Sequence, residues 1–296
     1  SVGTLGIPEF GTDFVRRMLE DTRPKTFADL IRISGLSHGT DVWAGNAQEI
    51  IKHGKGTISD VISCRDDIMN YLIKLGSEPK KAFFIMEKVR KGKGLSPEDE
   101  QLIKSLNVAD WFIDSCKKIK YLFPKAHATA YVSMAFRIAY FKVHYPLAFY
   151  ATYFSIKGDE FNLAVITRGK EAIKQRITEI KSGDMDVRKK SEKAALELAL
   201  EMLLRGYTFK NVDLYRSDSK KFIIEDKSLL VPFIKIPNLG EKAAESVIRA
   251  REENDFKSME ELMNRTNLNK TNIETLKELN ILKGLPEKNQ MSLFGG

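Results

Sequence analysis

Residues 234–253 read Ile234-Lys235-Ile236-Pro237-Asn238-Leu239-Gly240-Glu241-Lys242-Ala243-Ala244-Glu245-Ser246-Val247-Ile248-Arg249-Ala250-Arg251-Glu252-Glu253. Pro237 to Gly240 form a tight turn that leads straight into an Ala-rich helix. Gly240, and Asn238 in a left-handed conformation, let backbone N–H groups face outward. The helix that follows adds its unsatisfied N–H groups and the positive end of its dipole. Lys242 stands near that mouth. The stretch reads as a phosphate site built mostly from backbone.

Working outward, residues 256–283 look like a degenerate second copy. Residues 256–262 are helical, Thr266-Asn267-Leu268-Asn269-Lys270 is a hairpin without Gly, and 272–279 is a second helix. The two copies resemble the helix-hairpin-helix motif, which grips the DNA backbone without reading sequence. That family usually has Gly where Asn238 stands. By this resemblance Asn238, Leu239, Gly240 and Lys242 contact DNA, and the second copy buttresses the first.

Upstream, the pattern changes at Arg205-Gly206. Short strands are expected at 209–214, 221–225 and 229–233. Before 206 the chain reads as helix after helix: 12–20, 26–34 capped by Thr26, 63–75 capped by Ser63, 78–91, one opened by Ser96-Pro97-Glu98-Asp99, 108–120, 131–144, 147–155, 159–181 and 187–205. The expected fold is mainly α, a helical domain over 1–205 followed by a small α+β domain over 206–285. Gly284-Leu285-Pro286 then opens a tail, 286–296.

With 296 residues and 43% hydrophobic content the chain is long enough for two domains and is globular. Its 48 basic and 40 acidic residues give a net charge of +8, which permits a polyanionic partner. Residues 206–296 hold 15 Lys/Arg and 14 Asp/Glu, so DNA binding there must use local geometry more than bulk charge. Cys64 and Cys116 have no CxxC spacing, which argues against zinc or a disulfide framework and suits a reducing cytoplasm. Ser1 is not an initiator Met and no signal-peptide pattern follows, so a fragment is expected. The most apolar stretch, 126–156, is interrupted by Arg137, Lys142, His144 and Pro146, and reads as a buried helix pair with no membrane partner.

Two basic regions stand out. In 80–94, Phe84, Ile85, Met86 and Val89 can face a core while Lys81, Lys88, Arg90, Lys91 and Lys93 face either solvent or a polyanion. Gly92 and Gly94 permit close approach of backbone to phosphate. In 117–144, Lys125, His127 and Tyr131 can share a surface, since 127 and 131 are one helical turn apart. A Lys and a His beside an aromatic suit a nucleotide's phosphates and base, although a His at a helix start is also a common cap or packed residue. The loop holding Ser34, Ser37, His38, Thr40 and Asp41 lacks a nucleophile elbow, so no catalytic triad is read there. Asp184/Asp186 and Asp66/Asp67 imitate metal pairs but sit where helices start, where acidic residues are favoured. No catalytic residue and no metal ligand is assigned.

The chain ends Gln290-Met291-Ser292-Leu293-Phe294-Gly295-Gly296. Leu293 and Phe294 would fill a partner's pocket and Gln290 would bond its rim. This resembles the peptide by which bacterial replication and repair proteins dock on the sliding clamp, with Gln290, Met291, Ser292, Leu293 and Phe294 as the docking residues.

Gly3-Thr4-Leu5-Gly6-Ile7-Pro8-Glu9-Phe10-Gly11, Leu36-Ser37-His38-Gly39-Thr40-Asp41-Val42-Trp43, Lys91-Gly92-Lys93-Gly94-Leu95 and Phe123-Pro124-Lys125-Ala126-His127-Ala128 together resemble the C-terminal part of the PolC-type DNA polymerase III alpha subunits, in order and over essentially the whole chain. The resemblance implies fingers up to about 205 that hold incoming dNTP, with Lys81, Arg90, Lys93, Lys125, His127 and Arg137 as candidate contacts. It implies a duplex-binding domain, a clamp-binding tail, and partnership with primer-template DNA, the sliding clamp and the rest of a polymerase chain at a cytoplasmic, nucleoid-associated replication fork. It places the Mg2+-binding aspartates upstream of Ser1, which leaves the isolated chain without polymerase activity. On the residues alone, a DNA-binding accessory factor and a helical protein-interaction module remain open.

Overall fold

A computed structural model describes residues 2–158 and 160–288. The helices of the first part are α1 (Asp13–Thr22), α2 (Phe27–His38), α3 (Gln48–Lys52), α4 (Arg65–Lys74), α5 (Pro79–Arg90), α6 (Pro97–Ser105), α7 (Asp110–Lys118) and α8 (Lys125–His144). Then come α9 (Pro146–Ile156), α10 (Leu163–Ile166), α11 (Lys170–Ser182) and α12 (Val187–Leu204). A three-stranded sheet follows, β1 (Thr208–Lys210), β2 (Ile223–Glu225) and β3 (Ser228–Leu230), and then α13 (Glu241–Glu253), α14 (Met259–Arg265) and α15 (Lys270–Glu278). The fold is mainly α, with a small α+β part at its C-terminal end.

The chain separates into two compact units, one up to Ala139 and the other from Tyr140. The first is all helix around Met18, Ile33, Leu36, Ile68, Leu72, Ile85, Val89, Ile103 and Phe112, each almost wholly buried. Local caps set its helix starts. Thr26 and Asp29 form a reciprocal box at α2, and Ser96 and Asp99 do the same at α6, with Pro97 at its first position. Ser63 is expected to cap α4, but Cys64 takes the cap position. Asp67 Oδ2 accepts from Ser63 N, Ser63 Oγ and Cys64 N at 3.0, 2.6 and 2.9 Å. A bulged turn at Trp43–Ala47, with Gly45 at φ 68°, has no counterpart in the sequence reading.

In the second unit β3 is central, parallel to β1 and antiparallel to β2, with Leu229 opposite both Phe209 and Ile224. Phe154 of α9 meets Phe161, Phe209 and Phe222 at ring-centroid distances of 5.4 to 5.8 Å, and Phe222 N donates to Ser155 Oγ at 3.1 Å. Residue 206 therefore marks where helix gives way to strand, while packing carries α9 into the same unit as the sheet. Lys142, nearly buried, pairs with Glu201 at 2.8 Å, which also accepts from Tyr150 Oη at 2.5 Å. Three helix expectations shift, one of them 256–262, which becomes α14 at Met259–Arg265. The helix expected over 159–181 breaks at Gly169, φ 91°, into α10 and α11, and the helix expected from 131 begins at Lys125. No described helix is long and apolar enough to cross a membrane.

Candidate nucleic-acid interface

The turn before α13 takes the expected form. Asn238 is left-handed at φ 59°, Leu239 is buried, and Pro237, Asn238, Gly240, Glu241 and Lys242 are exposed. Gly240 is extended, φ −78° and ψ 163°, and offers no side chain to cap the helix. Among the described residues no acceptor meets the N–H of Gly240, Glu241, Lys242 or Ala243. Other helices in this part differ. At α14, Met259 N and Glu260 N donate to the carbonyls of Pro286 and Glu287, at 2.8 and 3.1 Å, and Glu261 N donates to Ser258 Oγ. At α15, Asn269 and Asn272 form a reciprocal box. The open donors of α13 make an anion cradle, with Lys242 beside them carrying no ion pair among the described residues.

Two acids share this mouth, and a residue missed in the sequence manages them. Lys220, in the loop before β2, pairs with Glu241 and, at 2.9 Å, with Glu245. The two carboxylates raise the Lys220 pKa, so it stays charged. Its distance from α13 in sequence left no signal for this. The second copy braces the first: Asn272 Nδ2 donates to Asn238 O at 3.2 Å, and Asn267 N donates to Ser246 Oγ at 2.8 Å.

In the first unit, α5 ends at a second basic site. Glu87 is its anchor. Arg90 forks onto it, Nε at 2.7 Å and a terminal nitrogen at 2.8 Å, while Lys91 lies at 3.0 Å and Arg65 at 4.0 Å. The Arg90 hydrogen bond, opposed by some burial, draws the Glu87 carboxyl down to about 2. Beyond it Gly92 is left-handed at φ 68°, and a Cβ there would lie 2.7 Å from Lys120 O, so the chain can pass only as glycine. Phe84, expected in the core, is 52% exposed beside Phe83 at 44%, while Ala82, Ile85, Met86 and Val89 make the buried face.

The segment 120–125 links this site to the start of α8. Leu122 N donates to Arg90 O at 3.4 Å, and Asp66 Oδ2 caps Lys125 N at 2.9 Å. Lys125, His127 and Tyr131 are exposed on the first turns of α8, as the spacing implies. The His38 motif joins them: its ring stacks on Phe123 at 4.8 Å, and Phe123 stacks on Tyr131 at 6.2 Å. His38 Nε2 lies 3.0 Å from Glu9 Oε2, and Glu9 itself holds a left-handed φ of 68°. Arg90, Lys125 and His127 thus belong to one connected surface, with Lys93 exposed on the loop after α5. Lys81 lies about 13 Å back along α5 from Arg90, at 1.5 Å per residue, next to Glu78. Arg137 is about 18 Å along α8 from Lys125 on the same measure. The structure does not bring these two into the cluster.

The paired aspartates do other work. Asp186 Oδ1 caps Lys189 N at 2.7 Å, and Asp184 offers its carbonyl to Lys189 Nζ at 2.9 Å. Among the described residues no group of three or more His, Cys, Asp and Glu side chains is placed to hold a metal ion. Asp186 is accounted for as the cap of α12. Cys64 and Cys116 are buried free thiols, and burial pushes Cys64 up to about 12, out of reach of nucleophilic use. Gln290, Met291, Ser292, Leu293 and Phe294 lie outside the described residues.

Residues 1–108 match the bacterial DNA polymerase III alpha subunit finger domain, and residues 206–291 match the helix-hairpin-helix motif. Over 294 residues, 99% of the chain, it is 62% identical to the PolC-type DNA polymerase III of Thermotoga maritima and 61% to that of Thermotoga petrophila. The PolC-type DNA polymerase III of Bacillus subtilis is 56% identical over the same share. The chain spans 22% of the length of the Thermotoga relatives and 20% of the Bacillus one. The chain belongs to the PolC-type DNA polymerase III family, as a segment that carries its finger domain and its helix-hairpin-helix motif.

Proposed function

We propose that this chain is the part of a replicative DNA polymerase that positions incoming dNTP, grips the primer-template duplex and docks on the sliding clamp. The functional division is 1–205 for nucleotide positioning, 206–285 for the duplex and 286–296 for the clamp. The observation that carries the reading is the uncapped first turn of α13, whose open amides stand beside Lys242 while Lys220 neutralises the nearby acids. That is a site for backbone phosphate.

At the other surface, Lys93 and Lys125 offer cations and His127 a ring N–H to a triphosphate, beside the exposed ring of Tyr131. Arg90 is held by Glu87 and takes part with its remaining donors. Lys81 and Arg137 stand apart and are the weaker members of the set. Phosphoryl transfer draws on Mg2+, which residues outside this chain would hold, so the chain alone binds DNA without extending it. Leu293 and Phe294 are the clamp anchors, and the setting is the bacterial cytoplasm at the replication fork.

Crosslinking of the full-length polymerase on primed DNA with a photoreactive dNTP tests the assignment. Expected adducts are on residues 90–94 and 123–131 from the nucleotide, and on 237–243 from the duplex. Nucleotide adducts confined to other parts of the enzyme would remove the fingers reading.

A further inference from the structure

Beside the α13 turn opens a cleft of about 880 Å³, walled on one side by Pro237, Asn238 and Gly240 and on the other by Arg188 and Lys189 of the first turn of α12. Most of its cations are already committed. Arg176 closes a two-pronged pair with Glu192, both contacts at 2.9 Å. Lys189 Nζ donates to Asp184 O, and Lys235 Nζ to Gly158 O. Arg188 differs. Its side chain is 80% exposed, and only Nε is engaged, with Glu160 Oε2 at 2.9 Å. Both terminal guanidinium nitrogens are without a partner among the described residues.

A guanidinium held by Nε and open at its two ends is a preset fork for a phosphate or carboxylate. The cleft's one aromatic residue, Phe161, is buried, so the walls give a nucleobase no face to stack on. A mononucleotide would leave its base without a partner there. A polynucleotide backbone needs no such face, and it already has the α13 amides on the opposite wall.

We propose that Arg188, oriented by Glu160, is a second phosphate contact that seats the duplex backbone in this cleft. The proposal rests on the α13 turn as a duplex site. Because α12 lies upstream of the matched helix-hairpin-helix region, it extends the DNA contact surface beyond that motif.

The test is the salt dependence of binding by the 296-residue chain to a blunt, mixed-sequence duplex. Loss of one phosphate contact lowers the slope of log K against log salt by about 0.9. Arg188→Ala is expected to do this and to weaken binding several-fold at low salt. Arg188→Lys restores the slope, and Arg168→Ala, an exposed arginine outside the cleft with the same charge change, leaves it intact. If Lys242→Ala lowers the slope while Arg188→Ala does not, the cleft contact is wrong and the α13 reading stands. If neither changes it, both fall. Equal losses from Arg168→Ala and Arg188→Ala mean bulk charge and overturn the cleft contact. So does a nucleoside triphosphate that binds the chain and is weakened by Arg188→Ala.

Discussion

The side-chain amide of Asn272 donates to the carbonyl of Asn238 at 3.2 Å, so the second hairpin holds the turn of the first by one of its exposed residues. Asn272 is buried, and its Oδ1 also accepts from Asn269 N at 3.1 Å. Asn272→Ala strips both bonds and is expected to cost about 1–3 kcal/mol of stability, read from urea denaturation. Duplex affinity should fall as well, because Asn238 loses its brace. Unchanged DNA binding in the destabilised variant would make the second copy a packing element only.

Lys220 offers a sharper test, because its loss acts through other residues. In Lys220→Ala two free carboxylates face the phosphate site, and duplex binding should weaken several-fold. Adding Glu241→Gln and Glu245→Gln should restore most of it. If the triple variant binds as poorly as the single one, Lys220 contacts DNA directly.

Glu87 predicts an acid effect. Its folded-state carboxyl is drawn from 4.5 to about 2. Its contribution is therefore full above about 4.5 and is lost as pH falls toward 2. Glu87→Gln should be less stable than the parent at pH 6, and the gap should narrow below about pH 4.5 and close as pH approaches 2. A gap independent of pH would mean that packing and not charge is responsible.

In the full-length polymerase, Lys125→Ala and His127→Ala should raise the dNTP KM by about tenfold or more, the effect of losing about 1.4 kcal/mol of binding. Lys81→Ala and Arg137→Ala, which stand off the cluster, should have smaller effects. Steady-state kinetics on primed DNA ranks the four. An order in which Lys81 leads would move the nucleotide to the other end of α5.

Leu293→Ala with Phe294→Ala should abolish binding of a 286–296 peptide to the clamp and lower processivity on clamp-loaded DNA. The two side chains bring roughly 3–6 kcal/mol of gross apolar burial. Calorimetry with the parent peptide should give micromolar or weaker affinity, since ordering the tail offsets part of that gain. Equal binding by the double variant would end the clamp reading.

Much of this was legible where the signal is local. Thr26, Ser96-Pro97 and the Asn238–Gly240 turn act on their own neighbours, and each appears as read. Long-range partners were not legible. The start of α8 escaped because its cap, Asp66, lies on another helix. Phe84 was assigned inward because its residue type outweighed its position; the helix turns positions 82, 85, 86 and 89 to the core. The roles of His38, Lys220 and Arg188 depend on which segments meet in space, and no spacing in the sequence records that.

The carbonyls of Pro286 and Glu287 close the first turn of α14, and Lys277 clasps the Glu287 carboxylate at 2.7 Å. The leash to any partner gripping Phe294 is therefore measured from a nailed-down post rather than from the last helix at large. The seven residues from Glu287 to Phe294 reach at most about 25 Å. Under the clamp proposal, a partner seated on that end would be held within that reach of the α14–α15 pair.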